Sequence, residues 1–160
     1  MKIIGLMVAL LLSGALAQRI GQTAPDFKLA DLNGNIVTLM SLQGKPAVIT
    51  FWASWCTVCK AELPKLHALA REKQIDYYVI SREPADSQQV VRAYMKQYPA
   101  FTPLISLRNG DQAVDVADRY KILGQPWTFV LNAEGKVVGV QAGAVNMDLF
   151  KKELAQAGLQ

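Results

Sequence analysis

The chain has 160 residues, enough to bury one good core, with 51% hydrophobic residues, 19% charged residues and a formal net charge of +4. That charge is modest and forms no basic cluster, which argues against a nucleic-acid surface and leaves solubility as its meaning. Two cysteines and a single histidine are too few for a closed zinc site of about four ligands.

Taken in order, Met1 to Ala17 reads as a secretory leader. Lys2 is a short basic region, Ile3 to Leu12 an apolar one, and Ser13-Gly14-Ala15-Leu16-Ala17 supplies the small residues of a cleavage site. Residues 1–17 are therefore expected to be a signal peptide cut after Ala17, and 18–160 one exported domain. The apolar run falls short of the about 20 residues of a membrane span, with an uncleaved anchor as the alternative. An extracytoplasmic or periplasmic location follows, where disulfides persist and a dithiol needs a partner to set its redox state.

Gln18 to Ala24 has no period and is expected to be a loose arm. Phe27–Leu32 and Ile36–Leu39 flank Asn33-Gly34, a two-residue hairpin signal. Ala47 to Trp52 is a continuous apolar run of the kind buried on both faces in a central strand. A helix follows, with Cys59, Leu63, Leu66 and Ala70 on one stripe. Ile75–Ser81 is the next strand. Asp86–Tyr98 is expected to be helical with Val90, Val91 and Tyr94 inward, Pro103–Leu107 a short strand and Asp111–Tyr120 a helix. Trp127–Leu131 and Val137–Val140 form a second hairpin around Glu134-Gly135, and Asn146 caps a last helix reaching about Ala157. Strands alternating with helices predict an α/β fold with a central mixed sheet flanked by helices and an additional N-terminal hairpin.

The chemistry concentrates where the apolar strand gives way to the first helix. Cys56 falls at or near that helix N-terminus, where unpaired N–H groups and the helix dipole favour a thiolate. Cys59 lies about one turn further in, close enough to close a disulfide with Cys56 and better shielded. A loop this short makes a poor structural staple. The pair reads as redox-active, Cys56 attacking and Cys59 resolving. Glu62, three residues beyond Cys59, is placed to accept its proton.

Trp55-Cys56-Thr57-Val58-Cys59-Lys60, Pro64, and Gln125-Pro126-Trp127-Thr128-Phe129 together resemble a thioredoxin fold. Gly21-Gln22-Thr23-Ala24-Pro25-Asp26-Phe27, Leu42-Gln43-Gly44-Lys45-Pro46 and Phe51-Trp52-Ala53-Ser54-Trp55-Cys56 resemble, more narrowly, the TlpA/ResA/DsbE group of exported thiol-disulfide oxidoreductases. The resemblance implies that Pro126 is a cis-proline facing the cysteine pair and that Glu62 is the acidic residue near it. It also implies reductive work outside the cytoplasm, such as reducing the haem-attachment cysteines of apocytochrome c, on a disulfide-containing protein substrate and with a membrane-embedded thiol-disulfide electron donor. Trp55, Gln125, Pro126 and Trp127 are the expected substrate-contact residues; no cofactor, metal or nucleic acid is expected, and the chain is expected to be a monomer. Three departures stand out: Thr57-Val58 replaces a proline-containing pair, Thr50 stands where thioredoxin has a buried acid, and Trp127 follows the expected cis-proline where threonine is common.

Three other functions compete. A disulfide-forming oxidant would use the same pair in the opposite direction. A peroxiredoxin-like peroxidase shares the N-terminal signature, but its Pro-x-x-x-Thr/Ser-x-x-Cys pattern meets Ile49 and Ala53 before Cys56. A copper-binding carrier could use soft thiolates, but carriers of similar fold space their cysteines further apart, and His67 reads as a surface helix position.

Overall fold

The computed structural model describes residues 19–106 and 112–159; the expected leader over 1–17 and the start of the helix expected from Asp111 lie outside them. Among the described residues there are seven strands: β1 Lys28–Asp31, β2 Ile36–Thr38, β3 Ala47–Trp52, β4 Asp76–Ser81, β5 Phe101–Ile105, β6 Trp127–Leu131 and β7 Val137–Ala142. The α-helices are α1 Thr57–Lys73, α2 Gln88–Met95, α3 Gln112–Arg119 and α4 Met147–Ala157. No helix among the described residues is long and apolar enough to cross a membrane.

The strands form one mixed sheet in the order β2-β1-β5-β4-β3-β6-β7. β3, β4 and β5 run parallel, and β1, β6 and β7 join antiparallel. All six residues of β3 are buried, as its unbroken apolar run predicts for a strand covered on both faces. Its alternate residues divide between two cores. Val48 and Trp52 pack with Leu63, Leu66, Phe150 and Leu154 under α1 and α4. Ile49 and Phe51 pack on the other face with Phe129, Val116 and Tyr120 of the α3 side. The C-terminal end of β3 thus delivers the chain, between two filled cores, to the start of α1.

Three local expectations are corrected. The segment before β1 is not a loose arm: Gly21 N–H donates to Val137 O, Val137 N–H to Gln22 O and Ala24 N–H to Gly135 O at 2.8–3.0 Å, so it pairs with the free edge of β7. The first hairpin turns through Leu32-Asn33-Gly34, because the Asp31 carboxylate accepts from the Asn33 and Asn35 N–H groups and Asp31 itself pairs with Asn35. Gly34, at φ +88°, takes the left-handed position that such a three-residue loop requires. Val90 faces solvent, whereas Val91 is buried as expected, with Met95 beside it and Tyr94 half-buried against the same core. Ser87 caps that helix through the Val90 N–H, so it starts at Gln88 rather than at Asp86.

Candidate active site

Cys56 and Cys59 are joined by a disulfide, with Cα atoms 5.3 Å apart. Cys56 is the N-cap of α1. Its backbone is extended, and its Sγ accepts the Cys59 N–H at 3.2 Å. A thiolate at that sulfur would meet an orphan N–H and the positive end of a 17-residue helix, both of which favour charge. Both cysteines are buried in the disulfide form, and Cys56 Sγ is the sulfur that caps the helix.

The sequence gives no hint of what fixes the turn before Cys56. The Asp86 carboxylate accepts from the Ser54 N–H at 2.9 Å and from the Ser54 and Ser81 hydroxyls. It ties the β3–α1 turn to the loop after β4. Trp55, 61% exposed beside the disulfide, donates its indole N–H to Glu83 of the same loop at 2.7 Å. Trp52 is fully buried and packs on Tyr94 at 5.1 Å, which assigns it to the core.

On the other side of the pair, the Gln125–Pro126 peptide bond is cis, and the Gln125 carbonyl oxygen lies 4.0 Å from Cys56 Sγ. Trp127 points to the opposite face of the sheet from α1. There it stacks on Phe129 at 6.1 Å, and the Arg19 guanidinium lies 5.1 Å above its ring. The structure therefore brings together Cys56, Cys59, Trp55, Gln125 and Pro126 and sets the Trp127 ring apart from them.

Glu62 is half-buried on α1, one turn beyond Cys59, and its carboxylate accepts the Val145 N–H from the β7–α4 loop. Burial pushes its carboxyl above the ordinary range; the Val145 bond and Lys65 pull it back. Beneath α1, Thr50 hydrogen-bonds the Tyr77 hydroxyl at 2.8 Å and the Thr128 hydroxyl at 2.9 Å. A neutral hydroxyl network thus fills the position of the acid that Thr50 replaces. Burial raises the Tyr77 phenol far above its ordinary value, which keeps the network uncharged.

His67 is a partial correction: its ring is half-buried, edge-on to Tyr98 and Phe101 at 5.6 and 5.5 Å. Burial, then Arg71, lowers its pKa. It follows Cys59 by more than two turns, roughly 12 Å along the helix. Among the described residues no three His, Cys, Asp or Glu side chains converge on a metal position.

A family model described as the AhpC/TSA family matches residues 20–140. The thiol-disulfide oxidoreductase ResA of Bacillus subtilis is 33% identical over 131 residues, covering 81% of this chain and 71% of that protein. ResA of Oceanobacillus iheyensis is 32% identical over 137 residues, covering 81% and 68%. The crystal structure of a thio-disulfide isomerase from Thermus thermophilus superposes with a TM-score of 0.81 at 50% identity, covering 88% of this chain and 98% of that one.

Proposed function

This chain belongs to the AhpC/TSA family and is a TlpA/ResA-like thiol-disulfide oxidoreductase of the thioredoxin superfamily, and from that premise we propose that it acts after export as a monomeric reductant of protein disulfides, such as those of apocytochrome c. The observation that carries the Cys56-first exchange is the capping position of Cys56 Sγ at the N-terminus of α1, while the reductive direction rests on the TlpA/ResA/DsbE resemblance. Cys56 as thiolate attacks one sulfur of a substrate disulfide, releasing the other as a thiolate and forming a mixed disulfide. Cys59 then passes its proton to Glu62 and attacks Cys56 Sγ. The second substrate thiolate leaves, and the Cys56–Cys59 disulfide closes. Two electrons pass from the pair to the substrate, and a membrane-embedded dithiol donor returns them.

Trp55, Gln125, Pro126 and Trp127 form the substrate side. The exposed Trp55 ring and the Gln125 carbonyl near Cys56 Sγ support the first three. Trp127 contributes through its backbone next to Pro126, its ring being engaged by Phe129 and Arg19. The leader over 1–17 carries the export step.

Thiol trapping tests the roles. Cys59→Ser should accumulate mixed disulfides with partner proteins, visible on non-reducing gels, whereas Cys56→Ser should accumulate none. Equal trapping by both variants, or the reverse pattern, would overturn the assignment.

A further inference from the structure

Glu153 is a buried carboxyl that the reaction above does not use. It is 7% exposed on α4 and lies across Gly139 so closely that a Cβ there would stand 2.5 Å from its carboxyl carbon. A niche shaped by the absence of one side chain receives this one. Inside it, Gln141 Nε2 donates to Glu153 Oε2 at 2.7 Å. The other end of the Gln141 amide is thereby fixed in direction: Gln141 Oε1 accepts the Asn146 N–H at 2.7 Å.

Asn146 is the neighbour of Val145, whose N–H is donated to Glu62. The same short loop reaches the cis-proline segment, where Gly143 N–H donates to Pro126 O at 2.8 Å. Three nearby amides of the β7–α4 loop are thus committed to Pro126, to Glu62 and to Gln141. The last of these bonds is secured by a further buried group, Glu153 behind the Gln141 amide. Loops are the most mobile parts of a scaffold unless their backbone is tied down, and a proton acceptor serves only while it is held in reach.

We propose that Glu153 and Gln141 are positioning residues, which fix the β7–α4 loop so that the Val145 amide holds Glu62 in place to accept the Cys59 proton. The inference rests on the role given to Glu62 above. The groups facing Glu62 are Lys65 on its own helix, the Val145 amide from the loop and the Tyr77 phenol from β4. Of these, the amide is the one Gln141 controls. The Val145 bond favours the ionised carboxylate, so loosening the loop should raise the pH at which Glu62 becomes able to take a proton.

The test is stopped-flow reaction of the reduced protein with an aromatic disulfide that releases a coloured thiolate. Cys56 attack releases one coloured thiolate and leaves the other attached as a mixed disulfide. Cys59 attack, its proton passing to Glu62, releases the second. Gln141→Met, which keeps the size of the side chain and removes both hydrogen bonds, should slow the second phase about ten-fold and move its pH inflection up by about one unit. Glu153→Gln keeps an oxygen for the Gln141 amide and should shift the inflection less. In a Glu62→Gln background, Gln141→Met should have little further effect on the second phase, because both changes act on one group.

Equal slowing by Gln141→Met in both backgrounds, or an unmoved inflection, would overturn the positioning role and leave Glu62 as acceptor. A second phase indifferent to Glu62→Gln alone would remove both. If Gln141→Met lowers the melting temperature so far that it is not folded, the Glu153→Gln inflection decides: a rise supports the proposal and no change overturns it.

Discussion

At the scale of single residues, the site separates two kinds of control over a sulfur or a carboxyl. Cys56 is governed by the helix it caps, through one orphan N–H and a dipole. Glu62 is governed by burial, which raises its carboxyl, against the Val145 amide and Lys65, which lower it. A carboxyl whose folded-state value lies above its unfolded one, about 4.3, favours the folded state while protonated. That contribution is present below the unfolded value and is lost as pH rises through the folded one. Glu62→Gln should therefore gain in melting temperature relative to the parent as pH rises from about 4 toward neutrality. A constant difference, or one that shrinks, would show that burial does not dominate at Glu62. The same variant should slow closure of the Cys56–Cys59 disulfide from a mixed disulfide by about 100-fold if the carboxylate is the proton acceptor, as quenched-flow trapping would read.

At the scale of elements, strands and helices were legible wherever one short stretch carries its own signal. The β3–α1 junction is such a case. Its unbroken apolar strand, the two cysteines and the helical stripe from Cys59 to Ala70 predict the buried strand and the helix that the structure contains. The cis form of Gln125–Pro126 was implied by the family motif around it. What was not legible depends on partners far apart in the chain. Asp86 binds Ser54 across 32 positions and Val145 meets Glu62 across 83. Neither Asp86 nor Val145 belongs to a local pattern. The segment 19–24 lacks periodicity because its order comes from β7, not from itself. Thr50 is a related case: the sequence shows only that an acid is absent, whereas the fold shows Tyr77 and Thr128 converging on its hydroxyl. Thr50→Val would leave the Tyr77 and Thr128 hydroxyls with only each other and should cost about 1 kcal/mol of stability, measurable by denaturant unfolding. A neutral result would mean that the three hydroxyls are not coupled.

At the scale of the whole molecule, the two-core sheet holds the disulfide at one end, between the loop after β4 on one side and the cis-proline segment on the other. The capping N–H and helix dipole stabilise the thiolate, which alone would favour oxidising power. Thr57-Val58 adds no histidine to strengthen that effect, and the hydroxyl network beneath α1 adds no charge. The balance predicts a reducing pair. The direction of electron flow is then decided by equilibrating the purified protein against glutathione or thioredoxin and reading the fraction of Cys56–Cys59 disulfide. A potential nearer to thioredoxin's, about −270 mV, is expected, while a value near −120 mV, typical of the strongest oxidants, would contradict the reductase reading and make the chain a disulfide-forming enzyme.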